Sequence, residues 1–177
     1  MIKKVKPLVT CAMAIALGTI LSMIKMIDFP TGGSATLFSM LVICLPGYFY
    51  GPGAGIVTGV AYGALQLLLE PYVIHPMQLI LDYFLAFGAL GLSGFFYKSK
   101  WGLQKGYVLA VLGRYICAVL SGYIFFGEYA WEGWGALSYS IVYNAIYLFA
   151  EMAITLVILC LGPVKKGMSY LKKIATE

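Results

Sequence analysis

Asp82 stands inside Pro76-Met-Gln-Leu-Ile-Leu-Asp-Tyr-Phe-Leu-Ala-Phe-Gly-Ala-Leu-Gly-Leu-Ser-Gly-Phe-Phe96, a run otherwise apolar enough to cross a bilayer. A charge at the centre of a membrane costs on the order of 3 kcal/mol or more, so an acid there is normally turned toward a partner, a cavity or a ligand. With a rise of ~1.5 Å per residue, Asp82 lies about 9 Å below Pro76, and Asn144 about 10 Å below Leu137 in the last apolar run. Tyr83 and Tyr139 fall within a turn of that level, and Tyr123, Phe125 and Phe126 end the preceding run just above it. A carboxylate, an amide, phenols and rings at one depth suit a flat, cationic, heteroaromatic molecule. The rings supply stacking and cation–π attraction, the carboxylate supplies countercharge, and Asn supplies a donor and an acceptor. An anion would meet the wrong sign. Ala118, Gly122 and Phe126 share one helical face at i, i+4 spacing, which leaves room beneath an aromatic lid.

Two further charges interrupt apolar runs. Arg114 lies ~18 Å below Phe126 and Glu151 ~21 Å below Leu137, so the spacing predicts a structural ion pair near the midplane, beneath the Asp82 level. The aromatic residues from Tyr129 to Trp134 fit either an interfacial belt or the pocket. His75, beside Pro76, reads as a solvated loop residue. Cys11, Cys44, Cys117 and Cys160 are far apart in apolar runs without C-x-x-C spacing, and read as small packing residues rather than disulfide or metal ligands.

The elements that must position these groups are membrane helices. The chain has 177 residues, 62% hydrophobic and 11% charged, with a mean hydropathy of +0.90. A soluble domain is about 45–50% apolar and ~25% charged. Hydropathy and helix breakers predict an all-α integral membrane protein, a single domain over 1–177 built as a compact bundle of six transmembrane helices. The spans run roughly Pro7 to Ile27, Leu37 to Tyr50, Gly53 to Leu69, Pro76 to Tyr97, Tyr107 to Phe126, and Leu137 to Leu161. The second is short and ends in Pro46-Gly-Tyr-Phe-Tyr-Gly-Pro-Gly53, so it is expected to tilt or to stop before crossing fully. Ten of the twelve basic residues cluster in Lys3 to Lys6, Lys98 to Lys105 and Lys165 to Lys173. Six crossings from a cytoplasmic N-terminus put all three clusters inside and Asp28, Glu70, Glu128 and Glu132 outside, an N-in/C-in topology. That placement, rather than nucleic-acid binding, accounts for the net charge of +5. The basic start and its apolar run read as a first span, because the small-x-small site Ala12-Met-Ala14 comes too early for signal cleavage. The sequence has no nucleotide-binding glycine loop, H-E-x-x-H or G-x-S-x-G motif. On helix one, Ala12/Ala16 and Ala14/Gly18 are small residues four apart, a spacing that lets another helix approach closely.

His75-Pro-Met-Gln-Leu-Ile-Leu-Asp-Tyr83 and its continuation, Arg114-Tyr115, Ser121-Gly-Tyr-Ile-Phe-Phe126, Tyr129-Ala-Trp-Glu-Gly133 and Tyr139-Ser-Ile-Val-Tyr-Asn144 together resemble the thiamine-specific substrate-binding component of energy-coupling factor (ECF) vitamin transporters. The resemblance covers nearly the whole chain, with the pieces in order. It implies a multi-pass protein of a prokaryotic plasma membrane that captures thiamine from outside. It also implies a transmembrane coupling protein and two cytoplasmic ATPases as partners, with ATP hydrolysed by those subunits and no cofactor in this chain. Carried over by position, Asp82 is the acidic ligand contact, Tyr83 follows it, and Tyr139 and Asn144 are the pocket Tyr and Asn. Tyr72 resembles a pocket Tyr, Gly122 a close-approach position, and Ala12 and Ala16 the motif that docks on the coupling protein. The sequence departs where the family commonly has His, at Ala118, and where some members have a stacking Trp, at Phe126. The loop Pro30-Thr-Gly-Gly-Ser-Ala-Thr36 carries no Trp to close over a ligand. These departures leave room for a thiamine precursor or another cationic heterocycle. An integral membrane enzyme using Asp82 as acid or base is a rival, disfavoured because no nucleophile, metal cluster or second carboxylate shares its level.

Overall fold

The computed structural model describes residues 2–28 and 34–177, with side chains from Val5 onward. Seven helices follow one another: α1 (Ile2–Ser22), α2 (Ser39–Tyr50), α3 (Pro52–Leu69), α4 (Pro76–Phe96), α5 (Gly102–Phe125), α6 (Ala136–Cys160) and α7 (Gly162–Thr176). Five of them, α1, α3, α4, α5 and α6, are long and apolar enough to cross a membrane; α2 has only 12 residues. At ~1.5 Å per residue α2 covers about 18 Å, short of the ~30 Å of hydrocarbon.

The fifth span starts at Gly102 rather than the expected Tyr107. The first span ends at Ser22 rather than Ile27, where the Ser22 hydroxyl donates to the Thr19 carbonyl at 2.8 Å and tightens the last turn. The chain then forms an antiparallel ribbon, β1 (Lys25–Asp28) with β2 (Ser34–Thr36). The loop expected from Pro30 to Thr36 thus lies partly outside the described residues. The basic segment Lys165 to Lys173, read in the sequence only for its charge, lies in α7, an amphipathic helix. Its Val164 and Met168 pack on the bundle core, and Lys172 Nζ lies 4.1 Å from the Tyr48 ring centroid and donates to the Tyr97 carbonyl. Desolvation there lowers the Lys172 ammonium below its ordinary range. Lys165 covers the Trp101 ring at 3.3 Å, and Tyr50 bridges Thr10 of α1 and the Ala175 carbonyl of α7 at 3.0 Å each. The Lys98 to Lys105 loop and α7 therefore share one end of the bundle.

Inside, α2, α3 and α4 approach to backbone contact. A Cβ on Gly55 would lie 2.8 Å from the Cα atoms of both Gly47 and Gly91, so three glycines let three helices meet where side-chain burial gives little driving force in lipid. Met40, Ile43, Tyr62, Leu90, Tyr107 and Leu148 fill the centre with 1% exposure or less. The outer face is the reverse of a soluble protein's: Leu8, Val57, Leu68 and Val157 are each at least 66% exposed, as lipid contact requires.

Candidate functional site

The site is built around a local change in helix pitch. Within α4 the turn Ile80–Leu85 is π-helical, and the Ala86 N–H reaches back five residues to the Leu81 carbonyl. Such a bulge inserts one residue into the helical repeat and commonly re-aims side chains at functional positions. Here it carries both Asp82 and Tyr83. The Tyr83 carbonyl presses on Gly63 of α3, where a Cβ would leave no room.

A cavity of about 440 Å³ lies against this turn, lined from the end of α1, the ribbon, α2 to α6 and the 70–72 segment. It occupies the half of the bundle away from α7, since Phe126 at the far end of α5 lines it. Tyr72, Asp82, Tyr83, Gly122, Phe126, Tyr139 and Asn144, all anticipated from depth or resemblance, line this one space, as does Ala118. Tyr123 and Phe125 do not: Tyr123 is half exposed, and Phe125 stacks on His75 at 5.1 Å. His75 caps α4, its Nδ1 accepting the Met77 N–H at 3.1 Å. Trp131 and Trp134 stay outside the lining, more than 40% exposed, although Trp131 packs edge-on to Tyr139.

The aromatic wall is Tyr72 stacked on Phe126, centroids 5.9 Å apart and planes 19° from parallel. The Tyr72 hydroxyl meets that of Tyr129 at 3.3 Å, and this hydrogen bond holds the Tyr72 phenol above its ordinary range, so the wall is uncharged at neutral pH. Tyr83 acts as a clamp: its hydroxyl accepts the Tyr72 N–H and donates to the Glu70 carbonyl, both at 2.9 Å. Asn144 is similarly engaged. Its amide donates to the Ser140 carbonyl at 2.8 Å, and its oxygen accepts the Tyr147 hydroxyl at 2.6 Å.

Gln78, which the sequence reading did not single out, is 1% exposed and holds Asp82 in place. Its Nε2 donates to Asp82 Oδ2 at 2.6 Å and to the Tyr72 carbonyl at 3.0 Å, while its Oε1 accepts the Ile74 N–H at 3.3 Å. Its only sequence-level signal is the i, i+4 spacing to Asp82.

The expected Arg114–Glu151 ion pair is absent among the described residues. Both line the cavity, but Glu151 accepts Thr36 N–H at 3.0 Å, Thr36 hydroxyl at 2.9 Å and Met40 N–H at 3.2 Å. Met40 lies in the first turn of α2, where free backbone N–H groups and the helix dipole favour an anion. Arg114 instead lies over the Phe87 ring, 4.3 Å from its centroid. Lys25 and Glu70 pair at 3.8 Å at the cavity's edge. Glu151 and Glu70 are thus supplied with partners, whereas the Asp82 carboxylate has one close donor, Gln78 on Oδ2, with the Ser121 hydroxyl beside it.

The small-residue pairs on α1 separate. Ala14 and Gly18 face the bundle, where a Cβ on Gly18 would press on Ile43; Ala12 and Ala16 face outward. All four cysteines are free thiols, and no group of three metal-ligating side chains exists among the described residues.

Comparison with known proteins places the chain in a family. The family described as "Thiamine transporter protein" matches residues 8–170. "Thiamine transporter ThiT" of Bacillus subtilis (strain 168) is 35% identical over 175 residues, 90% of this chain and 91% of that protein. The ThiT of Lacticaseibacillus paracasei is 28% identical over 118 residues, 57% of this chain and 59% of that one. The solved structure of ThiT from Listeria monocytogenes superposes with a TM-score of 0.78 at 26% identity, covering 91% of this chain and 97% of that one. With the match extending over nearly the whole bundle and the cavity, the chain belongs to the thiamine transporter family.

Proposed function

We propose that this protein is the thiamine-capturing membrane subunit of an ECF-type transporter. Thiamine enters the cavity with its rings against the Tyr72–Phe126 wall and its positive charge opposite Asp82. The observation that carries this reading is the half-satisfied carboxylate of Asp82 in an aromatic-walled cavity. A cavity of this volume falls in the range of small-molecule sites. The charges also balance: Lys25 offsets Glu70, Arg114 offsets one of Asp82 and Glu151, and a monocation offsets the other.

In this reading α2 completes a six-helix bundle with both termini cytoplasmic. The basic loop and α7 then form the inner face, and the cavity lies toward the outside. Ala12 and Ala16, exposed on α1, offer the close-approach face to a transmembrane coupling protein. Two cytoplasmic ATPases supply the energy, and the chain needs no cofactor of its own.

A second reading keeps the class and changes the ligand to a thiamine precursor or another cationic heterocycle. It is favoured by Ala118, whose methyl leaves one wall of the cavity small. Mass spectrometry of small molecules retained by the purified protein separates the two: thiamine supports the first, another heterocycle the second, and a turnover product neither.

A further inference from the structure

Ser121 is 1% exposed, lines the cavity, and its hydroxyl makes no hydrogen bond to any described residue. It is the one buried side-chain polar atom without a partner among the described residues. A buried hydroxyl left unpaired costs about 1–3 kcal/mol, and such a group beside an open space is normally completed by what fills the space. Its neighbours on α5 and α6 are already committed: the Ser140 hydroxyl donates to the Val119 carbonyl at 2.8 Å, and the Asn144 amide is held by Ser140. Ser121 lies beside the Asp82 carboxylate, whose Oδ2 is taken by Gln78 and whose Oδ1 is not.

We propose that Ser121 Oγ and Asp82 Oδ1 form a paired recognition edge for an amino-substituted nitrogen heterocycle. The carboxylate oxygen accepts a proton of the ligand's amino group, and the hydroxyl donates to the adjacent ring nitrogen. A 4-aminopyrimidine, one of the two rings of thiamine, presents this donor beside this acceptor. The pairing rests on the thiamine-capture reading and adds to it which edge of the ligand meets α5. It also explains why a polar side chain is buried in α5 with no structural partner.

The test is a cycle of two proteins and two ligands in detergent solution, read by titration calorimetry and by thermal unfolding of the ligand-free protein. The ligands are thiamine and an analogue in which the pyrimidine nitrogen beside the amino group is replaced by carbon. Ser121→Ala should leave the ligand-free unfolding temperature equal or higher, and weaken thiamine about 5- to 10-fold, the worth of one net hydrogen bond. The analogue should bind wild type weaker by a similar factor and lose nothing more in Ser121→Ala, the signature of two changes removing one contact. Unchanged thiamine affinity in Ser121→Ala, or an equal further loss with the analogue, overturns the pairing. So does a lower ligand-free unfolding temperature, which would assign the hydroxyl a structural role. Wild-type protein that binds no thiamine overturns the capture reading itself, and the pairing with it.

Discussion

Gln78 and Asp82 are joined one helical turn apart by a 2.6 Å hydrogen bond, and the same Gln78 nitrogen holds the Tyr72 carbonyl at 3.0 Å. One buried amide therefore ties the carboxylate that faces the cavity to the segment that carries its aromatic wall.

Replacing Gln78 by Ala should then loosen both at once. Thiamine affinity is expected to fall about 10-fold, as one charge-assisted and two neutral hydrogen bonds that position the site are lost. Amide hydrogen exchange at Ile74, whose N–H now donates to Gln78 Oε1, should speed up in the same variant. Exchange at Ile74 equal to wild type would contradict the link between the two segments.

Gly122 is held to its size by Ser140. A Cβ there would run into the Ser140 hydroxyl and lie 3.3 Å from Asn144 Nδ2. Gly122→Ala should cost about 1–3 kcal/mol of stability through overpacking, and weaken binding by displacing Asn144. Adding Ser140→Ala removes the atom in the way, so the double variant should unfold at a higher temperature than Gly122→Ala alone. Thermal unfolding of the four proteins gives the answer, and no recovery would place the conflict elsewhere.

Glu151 serves as a backbone anchor. It accepts two N–H groups and a hydroxyl from Thr36 and Met40, so Glu151→Ala strands buried donors, each worth about 1–3 kcal/mol when left unpaired. Arg114→Met leaves those bonds standing and forfeits the contact with the Phe87 ring, about 1–2 kcal/mol. Thermal unfolding should therefore rank Glu151→Ala as clearly more damaging. Equal losses would restore the ion pair expected from helix depth.

How far the sequence carries depends on the kind of residue. An acid in an apolar run is conspicuous, so Asp82 and its depth-mates Tyr139 and Asn144 could be placed from helix rise alone. Gln78 and Ser121 are uncharged, and hydropathy does not separate a polar side chain that meets a ligand from one satisfied by its own helix. Depth put Arg114 and Glu151 at similar levels, but depth says nothing of rotation about the helix axis, and Glu151 turned toward the start of α2. The π-helical turn at Ile80–Leu85 and the ribbon after Ser22 carry no pattern of their own. The helix α7 did have one: Val164, Met168, Leu171 and Ala175 recur at helical spacing among lysines, a period hidden when the segment is read only for charge.

The central claim is that Asp82 supplies the countercharge for thiamine, and Asp82→Asn tests it most directly because the amide keeps shape while removing charge. Titration calorimetry of thiamine against wild type and Asp82→Asn, with unfolding temperatures of the ligand-free proteins as the control for folding, is the measurement. Removing one partner of a buried charge pair costs about 2–5 kcal/mol, so affinity should fall about 100-fold while the unfolding temperature holds. A variant that binds thiamine within twofold of wild type would contradict the account.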